Sequence, residues 1–177
     1  MIRLRAPGSI MTIDVILAPA FGTQGSKSNA AIGSWLAAHH DRFTYVLVQH
    51  EVGSVMARCG AVPDFQVDRH RRGTYLDTPE VISQMLAWLP VYRLNGIRVR
   101  VWVACHKTQW KACRYFLRKW YGIHARRVAL DVPYDRHSGQ WQTRGPLGAF
   151  FYKPVAIFRY LRNGDLQLFH RSPTKVG

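Results

Sequence analysis

Acidic residues are scarce in this 177-residue chain: ten Asp and Glu stand against 25 Lys and Arg, for a formal net charge of +15. Such a field attracts polyanions (nucleic acid, anionic lipid or phosphate-bearing ligands) and carries no information about fold. Cysteine is scarce too. Cys59, Cys105 and Cys113 are odd in number and scattered, with no CxxC or Cys/His ligand spacing, which excludes a disulfide framework and a structural zinc and fits a reducing compartment. No stretch approaches the roughly 18 consecutive apolar residues of a membrane-spanning helix. The eight histidines show no paired spacing such as HExxH, so no metal site is assigned. There is no internal repeat, low-complexity tract or domain linker, and the length suits one core. The chain therefore reads as a single domain over residues 1–177.

The first residues imitate a secretory signal. Arg3 and Arg5 precede an apolar run, and Ala18-Pro19-Ala20 looks like a small-residue cleavage site. Asp14 inside that run and Pro7-Gly8 at its start argue the other way, and residues 13–18 read well as a buried strand. The expected location is cytoplasmic.

Short apolar strands alternate with amphipathic helices along the chain, the pattern of βαβ units around a parallel sheet. Strands are expected at 13–18, 43–48, 65–68, 99–104 and 128–130. Helices are expected from near Ser28 to His39, around Val55 to Arg58, from Thr78 and Pro79 to about Leu89, and over 108–121. Val81, Ile82, Met85, Leu86 and Leu89 form one apolar face of the third helix; Trp110, Cys113, Leu117 and Trp120 form that of the fourth. A long loop over 131–146 leads to a last helix carrying Leu147, Phe150, Phe151, Val155 and Phe158, kinked at Pro154 and spaced as if for the core. The expected fold is an α/β three-layer Rossmann-like sandwich of about five mostly parallel strands in the order 3-2-1-4-5.

In such a sheet the ligand crevice lies beyond the carboxyl ends of strands 1 and 4, which lead into Gly22-Thr23 and Cys105-His106. Both loops precede helices whose free N–H groups favour an anion. Gly22 and Gly25 do not make GxGxxG, and two glycines in a loop more often reflect simple turn chemistry. Glu51, after strand 2, stands where dinucleotide folds hold a ribose hydroxyl, or is a solvated strand-end charge. His106 reads as an acid/base, as a donor to a ligand, or as a helix cap; His50 reads similarly. Cys105, flanked by His106 and Lys107, has no visible base or orienting partner and is not assigned as a nucleophile.

A family resemblance covers roughly residues 13–160. The glycine loop after the first strand, Gly73-Thr74-Tyr75-Leu76-Asp77-Thr78-Pro79-Glu80-Val81, Ala104-Cys105-His106 with Trp110-Lys111, and Tyr134-Asp135 through Ser138-Gly139-Gln140-Trp141-Gln142-Thr143-Arg144 occur in the order of the YdcF/SanA/ElyC domain, which the chain resembles. That resemblance implies a Rossmann-like sandwich with polar motifs at one sheet edge and a link to the bacterial cell envelope. It also makes S-adenosylmethionine a candidate ligand, since one member is similar to a binder of it. Gln109 stands where the family has an arginine, Asp77-Thr78 replaces Glu-Asn, and Lys153 replaces an acid.

The expected ligand set is Gly22, Thr23, Glu51, Thr74, Thr78, His106 and Arg144, with hydroxyls, a switchable imidazole and a planar guanidinium for carboxylate or phosphate. Trp141 either walls an aromatic ring or packs the loop. The expected partner is a small nucleotide-like or phosphorylated molecule, and the sequence names no reaction. The alternative is a nucleic acid or anionic surface held by the net charge of +15, with a basic face on helix 108–121.

Overall fold

A computed structural model describes residues 11–68, 78–89 and 97–152. Five parallel strands make one sheet in the order β3-β2-β1-β4-β5. They are β1 (Met11–Ala18), β2 (Tyr45–Gln49), β3 (Phe65–Val67), β4 (Ile97–Val103) and β5 (Arg126–Arg127). Between them run α1 (Lys27–His39), α2 (His50–Arg58), α3 (Thr78–Trp88) and α4 (Lys107–Tyr121). The fold is Rossmann-like, as the alternation of strand and helix patterns implies. None of the described helices is long and apolar enough to cross a membrane.

The apolar run of β1 is continuous because the strand is covered on both faces. Side chains alternate: Ile13, Val15 and Leu17 join the core formed with Val81, Ile82 and Met85 of α3 and Cys113 and Leu117 of α4. Ile16 and Ala18 face Ile32 and Leu36 of α1 and Val52 and Met56 of α2. Burying each such Val, Leu or Ile is worth about 1.5–3 kcal/mol. Asp14 breaks the run for a local reason. It lies opposite Arg100 in the β1–β4 register, accepts from Arg100 Nε at 2.8 Å and from Trp102 Nε1 at 2.9 Å, and so carries an ion pair across two strands. Burial works against this carboxylate, but the donations and charge of Arg100 together with the Trp102 bond hold its pKa below the ordinary value.

Several boundaries differ from the sequence reading. α2 starts at His50, directly after β2, rather than near Val55. β5 pairs at Arg126 and Arg127, not at 128–130. Val128 N–H still reaches Val103 O, but Leu130 N–H then closes on Val128 O at 2.9 Å, and this tight turn ends the strand. On α4, Phe116 is buried where Trp120 was expected; Trp110 and Trp120 are half-buried. The last helix departs most. Residues 146–152 are helical, yet Leu147, Phe150 and Phe151 are 74%, 62% and 63% exposed, so their spacing does not mark core. Val155, Phe158 and the kink at Pro154 lie outside the described residues.

The α1–α2 layer is tight at one point. A Cβ on Gly33 would stand 2.5 Å from Val55 Cβ and 3.0 Å from Val52 O. The helix-propensity gain of about 1 kcal/mol for Ala over Gly is smaller than the usual overpacking penalty. Gly33→Ala is therefore expected to lower unfolding stability by about 1–3 kcal/mol in urea titration, despite adding a helix former.

Candidate functional site

The crevice beyond β1 and β4 is built around the backbone of Ala20 and Phe21. Gln49, at the end of β2, accepts from Ala20 N–H at 2.9 Å, and Gln109 of α4 donates to Ala20 O at 3.0 Å. Asn29 accepts from Phe21 N–H at 2.8 Å and donates to Thr23 O at 3.0 Å. Gly22 adopts φ 98°, and a Cβ there would crowd the hydroxyls of Ser26 and Ser138, each 3.1 Å away. Glycine is thus required by both conformation and space.

The start of α1 is engaged by the protein itself, through its cap and the loop over 131–146. Ser26 is its cap, accepting from Asn29 N–H at 3.2 Å. The loop over 131–146 is laid across it: Asp135 accepts from Lys27 N–H at 2.9 Å and Ser28 donates to Pro133 O at 2.7 Å. Gly139 N–H meets Thr23 Oγ1, Thr143 Oγ1 lies 2.8 Å from Ser138 Oγ, and Arg144 Nε donates to Ser138 O at 2.8 Å. The Lys27 N–H, and after it the His137 N–H, hold the Asp135 carboxyl below its ordinary pKa. At this helix end, where a parallel α/β sheet commonly offers an anion site, the anion is Asp135.

His106 has no exposed surface. Its ring stacks on Phe21 at 4.2 Å and lies 4.3 Å from that of Tyr134. It caps α4: Nδ1 accepts from Thr108 N–H at 3.2 Å and is 2.8 Å from Thr108 Oγ1. A capping Nδ1 carries no proton, so the neutral ring bears its proton on Nε2. Burial first, then the charges of Lys107 and Arg127, push the His106 pKa down to about 4, against the opposite pull of Asp131. Among the described residues, Nε2 is buried without a hydrogen-bond partner, and so is Oε1 of Gln109, about one helical turn along α4.

The structure thus gathers Gly22, Thr23 and Arg144 around Ser138 and Gly139, ties His106 to the same crevice through Phe21, and joins Thr78 to it by the Gln109 Nε2 bond at 3.3 Å. Glu51 is buried in the first turn of α2, two residues beyond Gln49; it is not a solvated strand-end charge. Thr74 lies outside the described residues. His50 stands half-exposed beside Gln66 and Asp68 at the far edge. Trp141 is 48% exposed and packs edge-on to Tyr152. The Cys113 thiol, hydrogen-bonded to Cys105 in the core, is pushed well above its ordinary pKa by that bond and by burial. Neither thiol is set up as a nucleophile. Among the described residues no His, Cys, Asp and Glu cluster could hold a metal.

Sequence reasoning missed Asn29, Gln49 and Ser138 as builders of this crevice. Ser26-Lys27-Ser28-Asn29 ahead of an apolar helix does carry a capping signal. Nothing local announces Gln49, and Ser138 lies within the motif run 134–144 without being among the expected ligand residues. Compared with known proteins, the chain matches no family model, no curated protein and no solved structure.

An imidazole whose pKa falls from 6.5 to about 4 on folding binds its proton more tightly in the unfolded chain. Its contribution to stability is complete above about pH 6.5 and is lost as pH falls toward 4. Between pH 7.5 and pH 5 the protein is expected to lose up to about 2 kcal/mol by this route. In His106→Asn, which keeps a capping oxygen, that part of the loss disappears from a pH series of urea unfolding curves. The Asp135 contribution is lost only in a lower window, below the ordinary carboxylate range.

Proposed function

We propose that this chain is a YdcF-like domain that binds a small nucleotide-like ligand beyond the carboxyl ends of β1 and β4, with S-adenosylmethionine among the candidates. The observation that carries the reading is a pair of buried polar atoms with no partner among the described residues, His106 Nε2 and Gln109 Oε1. Leaving such a group unsatisfied costs about 1–3 kcal/mol, so a ligand that supplies the partner recovers that cost.

The chemistry of the pair narrows the class. A neutral N–H donor and an amide acceptor three residues apart in the chain would together complement a group that itself offers both, as a nucleobase or amide edge does. The helix ends flanking the crevice are capped by Asp135 and by His106 itself, which disfavours a phosphate on either. A phosphate or carboxylate of the same ligand would fall to Arg144, whose Nε is fixed on Ser138 O and whose side chain is exposed. His106, neutral at pH 7, acts in this reading as a donor; no reaction is assigned to it.

Thermal shift of the purified protein against S-adenosylmethionine, adenine nucleotides, nicotinamide dinucleotides and sugar phosphates tests the reading. A ligand at 100 times its dissociation constant is expected to add about 2.7 kcal/mol of stability, and the shift is expected to collapse in His106→Asn. A flat panel from well-folded protein, or a hit untouched by that substitution, overturns the proposal.

A further inference from the structure

The outer face of α4 carries a second, separate feature. Lys107, Lys111, Arg114, Tyr115, Arg118 and Lys119 are all exposed on it, while Cys113, Phe116 and Leu117 face the core. The helix contains no Asp or Glu. The side-chain ion pairs among the described residues are Arg100–Asp14 and His50–Asp68, so none of these five cations is paired there with a carboxylate. Lys111, Arg114, Tyr115, Arg118 and Lys119 line an open groove of about 620 Å³.

Ordinary helix electrostatics does not account for the whole stripe. Arg118 and Lys119 suit the negative carboxyl end of the helix dipole; Lys107, at the amino end, opposes it. Like charges three or four residues apart, such as Lys107–Lys111, Lys111–Arg114 and Arg114–Arg118, each destabilise the helix slightly. Their mutual repulsion is relieved by a polyanion. At 1.5 Å per residue the stripe from Lys107 to Lys119 spans about 18 Å, the axial length of about five charges on one nucleic-acid strand.

We propose that this face of α4 binds the backbone of a single-stranded nucleic acid, with Tyr115 as a platform for one base. Tyr115 is 52% exposed, and Lys119 donates to its hydroxyl at 2.8 Å with the ammonium 5.3 Å from the ring centre, an arrangement that brings a cation and a π-face to the same place. The same surface disfavours a membrane, because among the described residues the other exposed large apolar side chains (Met11, Val62, Trp88, Trp141, Leu147, Phe150 and Phe151) lie outside α4, which offers only Tyr115.

Fluorescence anisotropy of a labelled single-stranded oligonucleotide against increasing salt is the test. Lys111→Ala with Arg118→Ala is expected to reduce the slope of log affinity on log salt by roughly 1.4, about 0.7 for each lost contact. The charge-matched pair Arg58→Ala with Arg98→Ala, on exposed residues elsewhere, leaves the slope unchanged. Tyr115→Ala weakens binding roughly 5- to 150-fold at unchanged slope. Equal losses in the two charge pairs would reduce the effect to net charge and overturn the proposal. So would no oligonucleotide binding at low salt, or α4-dependent binding of phosphatidylserine vesicles in its place.

Discussion

The carboxylate of Asp135 on the first turn of α1 joins residues 108 positions apart in the chain and fixes the loop over 131–146 against the end of β1. Most other features of the crevice follow from it. With Asp135 in place, Pro133 O receives the Ser28 hydroxyl, Ser138 packs on Gly22, and the Tyr134 ring is brought against His106. The imidazole is thereby enclosed, and enclosure keeps it neutral. A charge-assisted bond to a helix amino end is strong for its size. Here it also removes from α1 the anion site that the strand order would otherwise leave open.

The strand order was legible because each piece of it has a local cause. The continuous apolar run of β1 needs cover on both faces, and the alternating helix patterns supply it. The burial of Val81, Ile82, Met85 and Leu86 matches their spacing on α3, and Leu89 just past its end is buried with them. What failed were readings that depend on contacts distant in sequence. The spacing of Leu147, Phe150 and Phe151 is that of a core face, but periodicity shows only that a helix has an apolar side, not that another element covers it. Likewise the position of His106 after β4 could not distinguish a ligand donor from a cap. It is a cap through Nδ1 and leaves Nε2 unpartnered, a division visible only once Thr108 and Phe21 are placed around it.

The excess of positive charge also resolves into parts. Arg100 is spent on Asp14 within the sheet, Arg127 donates to Leu130 O at the edge strand, and Arg144 is fixed on Ser138 O. These contacts hold the fold together. Among the described residues the cations of α4 make no comparable bonds beyond that of Lys119 to Tyr115. Among the described residues the positive charge thus includes both structural guanidiniums and the exposed stripe on α4, and composition alone does not separate the two.

The protonation state of His106 is the point on which the crevice account turns, and long-range proton–nitrogen NMR of the imidazole reads it directly. The account predicts a neutral ring at pH 6 with the proton on Nε2 and Nδ1 in the chemical-shift range of an unprotonated acceptor. A ring protonated at both nitrogens at that pH, or a neutral ring with its proton on Nδ1, would contradict the cap, the buried donor and the ligand chemistry drawn from them.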